Sequence, residues 1–172
     1  RCIGRHHSIL QTPRRGNSMK LYHGSTVDII NIDLSKSKPN KDFGKGFYLS
    51  DNIQQAYEMA AYKAMQLDME PVVNILTDNS KDLHIKCFKE YNEEWAKFIF
   101  ANRNNVNSDT PVHDYDIVYG PIANDRVGLQ IRNYMEHNID LQTFLERLKY
   151  MKGITFQYFF GTERAIKLLR KL

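Results

Sequence analysis

The segment Phe43-Gly44-Lys45-Gly46-Phe47-Tyr48-Leu49-Ser50 constrains the fold most, because it joins a turn, a strand and a helix start within a few residues. Gly44 and Gly46 stand just ahead of the β-favouring run Phe47-Tyr48-Leu49, which reads as a tight turn into a short strand. Asp51 or Asn52 can then cap a helix, in which Ile53, Ala56, Tyr57, Ala60, Ala64 and Leu67 recur at spacings of three and four up to Asp68. Sheet and helix are therefore expected within one α+β unit.

The remaining segments alternate in the same manner. Leu21-Tyr22-His23 opens as a short apolar strand that turns at Gly24-Ser25, and Val27 to Leu34 leads into the polar loop SKSKPNKD. After Pro71, VVNIL is a short buried strand candidate, and Leu83, Ile85 and Cys87 alternate as a half-buried one. Asn92 to Asn102 reads as a helix with Trp95, Phe98 and Ile99 on one side. NRNNVNSDTPVHD is a loop before the strand YDIVYG. Ala123 to Tyr134 and Asp140 to Lys149 read as helices, ITFQYFF as a strand, and Gly161-Thr162 as the start of a last amphipathic helix, ERAIKLLRK. No repeat, low-complexity block or second domain is visible.

Residues 1–18 hold four arginines, no acid and a His6-His7 pair, and read as a vector-derived leader or tag ahead of a domain over 19–172. Setting those arginines aside leaves 20 of the 24 Lys and Arg against 20 Asp and Glu, so no basic footprint for nucleic acid or anionic membrane remains. Cys87 is then the single cysteine, which excludes an internal disulfide and a cysteine-rich zinc site. No apolar run has the roughly 18 to 20 residues of a membrane span, and residues 19–30 do not resemble a signal peptide. A cytoplasmic protein without a membrane partner is expected.

Three segments put a polar group on an apolar strand: Leu21 to Ser25, Asp42 to Ser50, and Phe156 to Phe160. Taken singly, ordinary readings come first. A strand-end histidine beside glycine serves as a turn residue or a hydrogen-bonded core histidine, and Tyr48 packs as a core tyrosine. For Gln157 the two readings stay open. Asp42-Phe43-Gly44 matches a kinase metal-binding triplet by chance, since no catalytic-loop motif precedes it. His84, His113, His137 and Cys87 lack metal-ligand spacing, and Asp114, Asp116, Asn124 and Asp125 read first as turn and cap residues.

Together and in this order, the three segments resemble the ADP-ribosyltransferase superfamily, in its poly(ADP-ribose)-polymerase and diphtheria-toxin-like branch with a His-Tyr-Glu signature. The phrases FGKGFYLSD, DYDIVYGPIANDRV and TFQYFFGTERAI are more closely similar to a small bacterial domain family of uncharacterised function assigned to that superfamily. The resemblance implies a split, mostly antiparallel β-sheet core with flanking helices and an NAD+ cleft between its halves. It implies that His23 bonds an adenosine-side ribose hydroxyl, that the Gly24 backbone pairs with the nicotinamide carboxamide, and that Tyr48 stacks on the nicotinamide. Ser25, Phe43, Gly44, Lys45 and Gly46 fall in the implied binding segments. Lys45 is placed to meet the pyrophosphate, or is a solvated loop lysine. The family's second tyrosine falls on Met59, with Tyr57 or Tyr62 as substitutes.

The family's glutamate falls on Gln157, which can bond a ribose hydroxyl but carries no charge for a developing cation. Glu163, six residues on, reads as a first-turn acid. The implied function is a mono-ADP-ribosyltransferase with NAD+ as substrate and no metal, of a kind often found as a bacterial toxin or toxin–antitoxin component. Its acceptor could be protein, nucleic acid or a metabolite, and an antitoxin would be a further partner. An NAD+ glycohydrolase and a non-catalytic NAD or ADP-ribose-binding module are the alternatives.

Overall fold

A computed structural model describes residues 19–78, 83–107 and 109–172; the expected leader lies outside them. The chain runs β1 (Met19–Ser25), a 3-10 turn (Leu34–Lys36), β2 (Phe47–Leu49), α1 (Ile53–Leu67), β3 (Val72–Asp78), β4 (Ile85–Cys87) and α2 (Glu93–Asn104). It continues through β5 (Ile117–Pro121), α3 (Asp125–Met135), α4 (Leu141–Lys149), β6 (Phe156–Phe160), α5 (Glu163–Ile166) and β7 (Leu169–Lys171). The fold is α+β. The strands form a sheet ordered β1-β3-β7 and a second ordered β2-β6-β5-β4. Every pairing is antiparallel except β4 with β5. Among the described residues, an antiparallel bridge of Tyr22 with Ser50 connects the two sheets.

Each helix starts where a side-chain oxygen can take up free backbone N–H groups. Asn52 caps α1 by accepting from the N–H groups of Gln54 and Gln55, and Asn92, Asn124, Asp140 and Thr162 cap α2 to α5. The capping reading of Asn124 is thus correct.

Residues alternate across the second sheet as strand geometry requires, and both faces are buried. Val118 and Phe159 join Phe43, Phe88, Trp95, Ile99, Val127 and Phe144 under α2, α3 and α4. Ile117, Tyr158 and Phe160 face the other way, toward Leu21, Leu49, Ile166 and Leu169. Complete burial of each such side chain is worth about 2–3 kcal/mol before conformational entropy is counted.

Two expectations need correction. Gly24 and Ser25 do not turn; they extend β1 in register with Val73 and Val72. The helix after Thr162 ends at Ile166, and Leu169–Lys171 pairs with Asp78–Leu76 of β3. The spacing in ERAIKLLRK does suit a helix. The β3 edge, however, offers backbone donors and acceptors that a strand satisfies, while Leu169 stays buried.

Candidate functional site

The site is the wedge where β1 and β2 part. Tyr22 and Ser50 exchange both backbone bonds, N–H to O at 2.7 and 2.8 Å. Continuing that antiparallel register would set Gly24 opposite Tyr48. Instead the His23 side chain enters, with Nδ1 2.6 Å from the Tyr48 carbonyl oxygen. A carbonyl only accepts, so Nδ1 carries the hydrogen and Nε2 keeps its lone pair. The ring stacks on Phe47 at a centroid distance of 4.2 Å. Burial pushes the imidazole pKa down to about 4 against the opposing Tyr48 bond, and the charges of Lys63 and Lys41 lower it further. His23 is a neutral, oriented acceptor at neutral pH.

Backbone groups two residues apart on a strand face the same edge, so the N–H and C=O of Gly24 point to the wedge side with those of Tyr22. The Gly24 carbonyl accepts from Lys63 Nζ at 2.8 Å. The fold itself requires a glycine here. A Cβ here would lie 2.0 Å from the Ala56 carbonyl oxygen and 2.8 Å from the Ala60 nitrogen, so β1 presses directly on the alanine face of α1. Ser25 lies one residue on, where its Oγ accepts from the Val27 N–H at 3.3 Å.

Tyr48 is fastened at its hydroxyl. Its OH accepts from the Phe43 N–H at 2.9 Å and donates to the Gly44 carbonyl at 2.7 Å, bracing a turn in which Gly44 has φ +97°. Burial raises the phenol pKa well above its ordinary value, so it stays protonated. The ring meets Phe159 edge-on at 5.3 Å, and Lys41 Nζ lies 5.1 Å from its centroid over the face. Phe43 is fully buried; its ring stacks on that of Tyr48 at a centroid distance of 6.4 Å, and its backbone N–H reaches the Tyr48 hydroxyl. Gly46 donates its N–H to Ser37 Oγ at 3.1 Å.

Lysines that sequence reasoning passed over converge here. Burial lowers the pKa of both Lys41 and Lys63, and Lys41 is lowered further by Lys63 and Lys38. Among the described residues neither has a carboxylate within ion-pair distance. A signal existed, since Lys63 lies seven residues from Ala56 and beside Ala64, on the apolar face of α1. Lys45 is half-buried on a different part of the loop, near Asp33. The Asp33 carboxyl is lowered chiefly by Ser35 hydrogen bonds and only slightly by Lys45.

On β6, Gln157 is paired with Gly120 of β5 and lies two positions from Phe159, and so on its face of the sheet. The partner of Phe159 on β2 is Tyr48, which places Gln157 beyond Tyr48 on that same face. Its Nε2 donates to Asp42 Oδ2 at 3.4 Å. Asp42 also accepts from Arg103 Nε at 2.7 Å and from the Ala123 N–H at 3.2 Å. The triplet match at Asp42 is uninformative, but the residue itself is a node of the site. Tyr57 is 50% exposed on α1, and among the described residues no ring packs on it. Met59 and Tyr62 are similarly exposed.

Asp116 is held within the fold. Asp116 accepts from Thr162 Oγ1, the His84 N–H and the Arg164 guanidinium, and Arg164 beside it holds its pKa down to about 2. Asp114 meets His84 at the surface. Among the described residues no three His, Cys, Asp or Glu side chains are grouped as metal ligands, and no helix is long and apolar enough to cross a membrane.

The family model described as "Protein of unknown function (DUF3990)" matches residues 19–171. The chain belongs to that family. The match spans both sheets and every residue of the wedge, and the family's description assigns no activity. No curated protein matches the chain.

Proposed function

We propose that the wedge binds NAD+ on an ADP-ribosyltransferase-like core, and that the protein is a mono-ADP-ribosyltransferase. The observation that carries this reading is the union, at one parting of two strands, of a neutral histidine with a free Nε2 acceptor, an aromatic face and two lysines without acid partners among the described residues. Nε2 suits a ribose hydroxyl. The Gly24 N–H suits a carboxamide oxygen. Lys41 and Lys63, rather than Lys45, suit the diphosphate, whose anionic oxygens supply the negative charge the two ammonium groups lack.

A ligand ring that stacks on the Lys41 side of Tyr48 displaces the Lys41 ammonium from that face. The nicotinamide of NAD+ is a pyridinium, so one cation over the ring is exchanged for another. When the bond from ribose C1′ to the ring nitrogen breaks, its electron pair leaves with nicotinamide, which becomes neutral. The positive charge moves to the ribose as an oxocarbenium-like centre. An acceptor nucleophile then bonds C1′ and releases its proton to solvent. Gln157 is placed to hold a ribose hydroxyl but supplies no charge, so the rate rests on position and on the field of the site.

By this reading the protein works in a cytoplasm as a toxin-like enzyme, with NAD+ and an acceptor as partners and an antitoxin as a further one. The test follows free nicotinamide from NAD+, with and without lysate, and labelled ADP-ribose transfer into lysate treated with nuclease or protease. Lys41→Ala and Lys63→Ala should each weaken NAD+ binding about tenfold, as expected for one partly solvated ammonium–phosphate contact. Absence of NAD+ binding by calorimetry would refute the reading. Release into water alone would identify a glycohydrolase, and binding without release a non-catalytic module.

A further inference from the structure

Gln157 has a charged neighbour in Asp42, and that neighbour decides which way its amide faces. Building on the NAD+ reading above, we propose that Asp42 is a positioning residue that turns the Gln157 amide so that Oε1 is its acceptor toward the ribose. The two ends of a glutamine amide differ chemically, and an ionised carboxylate only accepts. The end of Gln157 at Asp42 Oδ2 is therefore Nε2, and Oε1 is the end left for a ligand. Asp42 cannot swing away to relax this choice. Arg103 Nε holds Oδ1 at 2.7 Å, and the Ala123 N–H meets Oδ2 at 3.2 Å, at the junction of β5 and α3. Arg103 is itself anchored through Nη2 to the Ala123 carbonyl at 2.5 Å. Three donors from three parts of the chain thus converge on one carboxylate.

The consequence is a reversal of what Gln157→Glu would otherwise do. Placed against Asp42, a second carboxylate would share the site with a like charge, and its ionisation would move up rather than add a ready anion. Asp42→Asn reverses the polarity of the contact. The oxygen of the introduced amide is drawn to Arg103, and its NH2 then takes the place of Oδ2. That NH2 deprives the Ala123 N–H of its acceptor and faces Gln157, which must present Oε1 to it and Nε2 to the ligand.

The experiment compares wild type, Asp42→Asn, Gln157→Glu and the double variant, each checked for folding by near-UV circular dichroism. In Asp42→Asn, nicotinamide release should fall about tenfold in kcat with KM within about twofold, the size of one hydrogen bond made to the ribose late in the reaction. Carboxyl-carbon NMR titration should place the new group at least about one pH unit higher in Gln157→Glu, where Asp42 is present, than in the double variant. The double variant should recover nicotinamide release at neutral pH relative to Asp42→Asn, because the introduced amide donates to the introduced carboxylate and leaves one of its oxygens for the ligand. Equal titration of the new carboxyl in both backgrounds, or wild-type release by a folded Asp42→Asn protein, would overturn the proposal while leaving NAD+ cleavage intact. A wild-type protein that neither binds NAD+ nor releases nicotinamide would overturn the function and this role together.

Discussion

The His23 ring makes a quantitative prediction in acid. In the unfolded chain its pKa is near 6.5, and in the fold it is about 4, because burial and the nearby lysines oppose a charge there. Between those values the unfolded chain binds a proton that the folded one refuses, so stability rises with pH and is lost as pH falls from 6.5 toward 4. The fall from 6.5 to about 4, at about 1.4 kcal/mol for each pH unit, gives roughly 3.5 kcal/mol as an upper bound. The assay is urea unfolding of wild type and His23→Gln from about pH 7.5 to 4. Glutamine keeps a donor for the Tyr48 carbonyl but does not titrate, so subtracting the two curves removes the acid response of His113, which burial also lowers. The difference should fall by about 2–3 kcal/mol across that window, taking the bound less some relaxation. Curves that stay parallel would refute the geometry, since a solvated His23 would titrate alike in both states.

Other substitutions test other parts of the wedge. Tyr48→Phe leaves the Phe43 N–H and Gly44 carbonyl without their partner and should cost about 1–3 kcal/mol by chemical denaturation, while NAD+ affinity changes little because the aromatic face remains. Tyr48→Ala should destabilise further, so loss of nicotinamide release in that variant is interpretable only at temperatures where it is folded. Gly24→Ala should destabilise by about 1–3 kcal/mol or more through overpacking against the α1 backbone, and a melting temperature equal to wild type would disprove the close approach. Arg164→Ala removes the chief group that holds Asp116 down, and should raise the pH of acid unfolding, with wild-type acid sensitivity as the contrary result.

The sequence was most legible where local rules agree. Asn52 caps a helix whose alanines recur at regular spacing, and FYL before it is a strand because aromatic residues and the preceding glycines allow little else. His23, Tyr48 and Gln157 each put a polar group on an apolar strand, but only the family resemblance of the three segments joined them as one proposed site. The supporting residues were less visible. Lys63 and Lys41 are ordinary lysines until the strand–helix contact and the loop bring them together. Asp42 gains its meaning from Arg103 and Ala123, which are distant along the chain. The last strand was missed because helical spacing is a local signal, whereas the open edge that captured residues 169–171 belongs to β3.

That capture governs the order in which the protein can assemble. β3 sits between β1 and β7, so its sheet joins the earliest and latest strands described. On a ribosome, β1 and β3 can pair early and α1 can close over Gly24, while the Asp78 end of β3 stays uncovered. β6 must also emerge before β2 has a neighbour on which to hold Tyr48. Contacts this remote along the chain are slow to form. A nascent chain arrested before β6 therefore carries His23 without a seated Tyr48 or a Gln157, and the wedge takes shape only once β6 has emerged.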